Sequence, residues 1–115
     1  MSFGLIVVLI RDNPMTSHRP AEGLRIALGL STGAGSLNIV LIGDALLLLT
    51  DEVTEIVDAE ILERHLPVIQ ELQLPITIPQ GGRNEFSIND GFCVSEATDS
   101  EIAKTLCQAD RVLVF

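Results

Sequence analysis

Few residues of this 115-residue chain could do chemistry: two cysteines, two histidines, and a glycine pair followed by an arginine. Cys93 and Cys107 match neither a CxxC redox pair nor a zinc-ligand spacing. Cys93 stands in EFSINDGFCVSEATDSE between Phe92 and Val94, with Asp90 and Glu96 close by. A thiol that carries sulfur as a persulfide must ionise, which calls for exposure and a neighbouring cation or helix start. Acidic and apolar neighbours work against a thiolate. The expected place of Cys93 is therefore a buried strand, and that of Cys107, beside Ile102 and Leu106 on a helix, is core filling.

The other candidates are weaker. His18 lies in a polar stretch beside Arg19 and reads as a solvated loop residue, whereas His65 falls on an apolar helical face and reads as packed near a hydrogen-bond partner. Gly81 and Gly82, followed by Arg83, could turn backbone N–H groups towards an anion, although glycine pairs commonly serve only as turns. Gly33, Ala34 and Gly35 follow a helix and precede a strand, the reverse of a dinucleotide fingerprint, so no such cofactor is expected. The acidic run from Asp51 to Glu60 holds no histidine or cysteine at ligand spacing and reads as a solvated surface, not a metal site.

These residues are positioned by apolar runs of strand length that alternate with helical stretches. Phe3 to Ile10 (FGLIVVLI) reads as a first strand closed by Asp12, Asn13 and Pro14. A helix follows, with Pro20 in its first turn and Leu24, Ala27 and Leu28 on one face, ending near Thr32 to Gly35. Leu37 to Ile42 is the second strand, and Asp44 is placed to cap a short helix over ALLLL. Beyond an acidic connection from Asp51 to Asp58, DAEILERHLPVIQELQ puts Ile61, His65, Val68, Ile69 and Leu72 on one face, with Pro67 expected to kink or restart the helix. Leu74 to Ile78 and Phe92 to Ser95 offer two further strands. Thr98 and Glu101 form a capping box that opens the last helix, and Val112 to Phe115 closes the chain as a strand. Repeated βα units imply an α/β fold: a three-layer α/β/α sandwich on a mostly parallel sheet of about five strands, spanning residues 1–115 as one domain.

In such a sheet ligands bind beyond the carboxyl ends of the strands. Asn13, Asp44, Gln80 and Arg83 each follow a strand there and are the candidate ligand-binding residues. The net charge of −9, without a basic cluster, speaks against nucleic acid as a partner. FGLIVVLI is too short to span a bilayer and lacks the flanks of a signal peptide, so a cytoplasmic protein without a membrane partner is expected. A hydrophobic content of 47% exceeds what a domain of this size readily hides, and self-association is the expected outlet.

The helix PAEGLRIALGL, the block LNIVLIGDALLLLTDE and the closing TDSEIAKTLCQADRVLVF resemble the DsrE/DsrF/DsrH family of small sulfur-relay proteins, also known as TusD/TusC/TusB, and most of all its DsrF/TusC branch. The resemblance implies about five parallel strands, homo-oligomers or assemblies with related sulfur-relay subunits, and passage of persulfide sulfur between cytoplasmic proteins. It also implies a working cysteine just after the third strand, where this chain has Ile78, Pro79, Gln80, Gly81 and Gly82. The expected function is therefore that of an accessory subunit of a sulfur-relay assembly. The competing expectations are a sulfurtransferase that uses Cys93 as its carrier, and a small-ligand module at the strand ends.

Overall fold

The computed structural model describes residues 4–33, 36–50 and 57–115. Five strands, β1 (Leu5–Ile10), β2 (Ser36–Leu41), β3 (Ile76–Pro79), β4 (Val94–Ala97) and β5 (Arg111–Val114), form one sheet in the order β4-β3-β2-β1-β5. Every pairing is parallel, with Val7 beside Asn38 on one flank and Val112 on the other. The α/β fold expected from the βα alternation is present.

The strand order decides where the helices lie. Steps from β1 to β2 and from β2 to β3 move one way across the sheet, and right-handed crossovers put α1 (Arg19–Leu30) and α2 (Ala59–Leu72) on the same face. From β4 the chain must return across the whole sheet to reach β5 beside β1. The same handedness then puts α4 (Asp99–Gln108) on the opposite face. Two cores result. Val8, Ile10, Ile39 and Leu41 pack under α1, α2 and a 3-10 helix over Gly43–Leu49, while Val7 and Val40 pack against Ile102 of α4. Close seating of α1 needs Gly23, because a Cβ there would come within 3.0 Å of Ile10 and 3.1 Å of Phe115.

Several elements depart from expectation in their detail. Asp44 does not cap the 3-10 helix but lies in its first turn, after an extended Ile42. Pro67 sits inside α2, which runs as a single helix from Ala59 to Leu72. The face of α2 that meets the sheet is Leu62, Leu66 and Ile69. Of the expected face only Ile69 is buried, while Ile61, Val68 and Leu72 stand exposed one step round the helix. His65 is half-buried, and its Nδ1 is enclosed without a hydrogen-bond partner. Strands β4 and β5 are displaced from Phe92–Ser95 and Val112–Phe115, and Phe92 is a core residue ahead of β4. Phe3 and most of the acidic connection lie outside the described residues.

The capping box of α4 forms as read: Thr98 Oγ1 accepts from Glu101 N–H at 3.1 Å, and Glu101 accepts from Thr98 N–H at 3.0 Å. Each edge strand also receives an arginine: Arg19 Nη2 donates to the Val114 carbonyl and Arg83 Nη2 to the Val94 carbonyl, both at 3.0 Å.

We predict that Leu62→Ala lowers the unfolding free energy by about 2–5 kcal/mol in denaturant titration. Ile61→Ala, one residue earlier on the exposed side, should cost well under half as much. A second prediction concerns acid. The hydrogen bond from Thr98 N–H holds the Glu101 carboxyl below the usual carboxylate range. A lowered folded-state pKa contributes stability that is present above the unfolded-state value and lost as pH falls through the folded-state one. Glu101→Gln should therefore lose stability at neutral pH and show a shallower decline than wild type on acid titration.

Candidate functional site

The carboxyl edge of the sheet gathers the ends of β1, β2 and β3, and with them Asn13, Asp44, Gln80 and Arg83. Asn13 turns the chain after β1 by accepting the Met15 N–H on Oδ1 at 2.8 Å, and its Nδ2 reaches Asp44 Oδ2 at 3.5 Å. Asn13 and Asp44 are thus brought together across the β1 and β2 ends. Arg83 is committed elsewhere, with its guanidinium on the edge of β4 and its backbone N–H on Glu96 Oε1 at 3.1 Å. Gln80 is exposed, and its backbone N–H extends the β3–β4 ladder to Ala97 O at 2.8 Å.

In the loop after β3, the Arg83 N–H is thus taken by the chain's own carboxylate, that of Glu96. The glycines of this loop are fixed by different constraints. Gly81 has φ 90, a left-handed conformation that side chains with a Cβ rarely adopt. Gly82 opens the one-turn helix α3 (Gly82–Glu85) and is buried, and a Cβ on it would come within 2.9 Å of both Ile78 and Leu46. Gly81 has the space but not the conformation for a cysteine, and at Gly82 the terminal methyls of Ile78 and Leu46 would have to shift to admit one.

Both native cysteines are exposed, against the expectation that Cys93 is buried and Cys107 fills the core. The reason lies in topology. Cys93 immediately precedes β4, an edge strand, so one side of it has no neighbouring strand. Its carbonyl accepts from Ile76 N–H at 2.9 Å, which sets it at the amino end of β3. Cys107 occupies the last turn of α4, on the side away from the buried Ile102. Asp110, just beyond, clasps the start of β1, with its N–H on Leu5 O and its Oδ2 accepting from Leu5 N–H, both at 2.8 Å. Both thiols thus lie towards the amino edge, away from the loops that follow the strands.

A pairing that the sequence reading missed lies beside the α1 start. His18 is exposed as expected, yet its Nδ1 is 2.8 Å from Oδ2 of Asp58, a residue held left-handed at φ 61 at the start of α2. The two border a cavity of about 340 Å3 between α1 and α2, floored by Ala21 and Ile61 and flanked by Arg19 and Arg25. Arg25 is paired with Glu22, whose carboxyl that bond holds below the usual range. Forty residues separate His18 from Asp58, and no local motif links them. A second cavity of about 220 Å3 lies on the other flank of α2, between Leu66, Gln70 and Phe92. None of Asn13, Asp44, Gln80 and Arg83 lines either cavity. Among the described residues no group of three or more His, Cys, Asp or Glu could hold a metal ion, and no helix is long and apolar enough to cross a membrane.

The full extent of the chain superposes on the ychN protein of E. coli, with a TM-score of 0.75, 21% identity and 100% of each chain covered. That protein has an α/β fold. This chain shares that fold. No family model and no curated protein matches the sequence.

The two glycines make the loop after β3 testable. We predict that Gly82→Cys destabilises the protein by roughly 1–3 kcal/mol through overpacking against Ile78 and Leu46. Gln80→Cys, at an exposed position, should leave the thermal midpoint within about 2 °C of wild type.

Proposed function

We propose that this chain is an accessory, non-catalytic subunit of a cytoplasmic sulfur-relay assembly, of the DsrF/TusC kind that its sequence resembles. One observation carries the reading: the loop after β3 holds no thiol, and the Arg83 N–H at its helix start is engaged by Glu96. A persulfide there would need both the sulfur atom and N–H groups free to stabilise its charge. The α/β fold shared with the structural neighbour supports the scaffold, and the high apolar content supports an assembled state. In this role the chain supplies surface and shape, while a partner carries the sulfur.

The exposure of Cys93 favours a second reading, in which it is a persulfide carrier at the amino edge. Both readings make this thiol accessible to alkylation, so accessibility alone cannot separate them. Sulfur transfer can. The chain is incubated with a persulfide donor and a cysteine-bearing relay protein, and the persulfide on each is followed by mass spectrometry. The accessory reading predicts that a Cys93→Ser, Cys107→Ser double variant supports transfer as well as wild type, and that Cys93 gains no persulfide faster than Cys107. Loss of transfer in the folded double variant, with persulfide collecting on Cys93 of wild type, would replace it with the carrier reading.

A further inference from the structure

Asp58 is the N-cap residue of α2, and aspartate is among the best side chains for accepting the free N–H groups of a helix start. Here it does not do so. Its carboxylate makes no capping hydrogen bond, and its backbone is held left-handed at φ 61. Oδ2 instead meets Nδ1 of His18, the N-cap residue of α1, whose side chain likewise leaves its own helix uncapped. Two helix starts thus forgo their local bonds in favour of one contact between them. His18 is 80% exposed and Asp58 31%, and a pair this open to water adds little stability. What the contact fixes is the imidazole. A carboxylate only accepts, so Nδ1 carries the proton, and Nε2 on the far side of the ring is left with a lone pair that no described residue bonds.

This oriented base lines the cavity of about 340 Å3 between α1 and α2. Small-molecule sites run to roughly 300–1,000 Å3, so the space suits a ligand at the small end of that range. Ala21 and Ile61 give it an apolar floor, and the charges of its lining balance, Arg19 and Arg25 against Glu22 and Asp58. Arg25 binds Glu22 through Nε and Nη2, and Arg19 binds the Val114 carbonyl through Nη2. Nη1 of each is without a partner among the described residues. A fitting ligand is short, partly apolar, and carries both signs of charge. It must also hold a proton that a lone histidine can take. An imidazole ordinarily titrates at roughly 6.5, a free thiol at roughly 8.5 and a phenol at roughly 10, which makes the thiol the donor within reach.

We infer that the cavity between α1 and α2 binds a low-molecular-weight thiol of amino-acid type, cysteine being the smallest, and that His18, positioned by Asp58, takes its thiol proton. The inference deepens the relay reading and rests on it, since the thiol activated here is one that the loop after β3 does not itself supply. The S–H proton passes to Nε2, and Asp58 balances the imidazolium. The thiolate attacks the outer sulfur of a donor's persulfide. A new S–S bond forms as the donor's S–S bond breaks, and the donor leaves as a thiolate that recovers the proton from His18. One thiol and one persulfide enter, one persulfide and one thiol leave, and nothing is oxidised or reduced overall.

The test uses a chain whose two native cysteines are replaced by serine, so that every thiolate observed belongs to the ligand. L-cysteine is titrated into it at about pH 6.5, where a free thiol is on the order of 1% ionised. The ultraviolet absorbance of the thiolate should rise above that of cysteine alone and saturate. His18→Gln and Asp58→Asn should each cut the excess by roughly tenfold or more. Asparagine tolerates a left-handed backbone, so Asp58→Asn keeps the turn, and unchanged thermal midpoints show that both variants fold. Nitrogen NMR should place the His18 proton on Nδ1 in the parent chain and redistribute it in Asp58→Asn, a change that a merely structural contact would not produce. Mercaptopropionate and cysteamine, with one charge each, should saturate only at severalfold higher concentration than cysteine.

No excess thiolate, an excess that survives His18→Gln, a proton resting on Nε2, or equal saturation by the singly charged thiols would each overturn the inference. The relay assay on the same cysteine-free chain separates this failure from that of the accessory reading. Transfer supported without excess thiolate overturns the thiol site alone. Excess thiolate in a chain that supports no transfer overturns the accessory reading alone, and a chain that shows neither overturns both.

Discussion

Val7 and Val8 are adjacent in sequence, point to opposite faces of the sheet, and both have no exposed surface. That double burial is the constraint on which the rest depends. A strand covered on both faces needs layers on both, and needs neighbours at both edges to satisfy its backbone. Strand β2 supplies one neighbour directly after α1. The other is β5, the last strand of the chain, which reaches β1 only by the return of α4 across the far face. The second layer, the edge position of β4 and the exposure of Cys93 are thus consequences of one closing connection.

Local signals were legible in the sequence and long-range ones were not. Thr98 and Glu101 announce a helix start because both halves of the capping box lie within four residues, and the structure forms both bonds. The alternation of strands and helices was similarly clear, since β1 and β2 are apolar runs bounded by turn residues. Cys93 misled because apolar neighbours mimic a buried strand, whereas its exposure depends on which strand lies at the edge. The order β4-β3-β2-β1-β5 is not written in any window of sequence. On α2 two apolar stripes sit side by side, and periodicity cannot say which one the sheet takes.

The loop after β3 shows the same division. The sequence displays Gly81 and Gly82 and the lack of a cysteine, but not why the glycines are needed. One is held left-handed, and the other is wedged between Ile78 and a leucine from the 3-10 helix more than thirty residues earlier. Glu96 reaches this loop from β4, across the β3–β4 pair. The pairing of His18 with Asp58 was equally hidden, because it joins the starts of two helices that only the folded sheet brings side by side.

The two arginines on the sheet margins have a bearing on how the protein meets its own kind. A parallel sheet with open margins is a template for further strands, and a chain this apolar would be at risk of growing into fibres. Phe115 and Cys93 turn their carbonyls inward to β1 and β3, so the carbonyls of their neighbours Val114 and Val94 face outward. Arg19 and Arg83 occupy those two. An added strand would have to displace a charged hydrogen bond and bury a guanidinium at either margin, a cost that favours rejection. Both margins of the sheet are thereby guarded against open-ended stacking of strands.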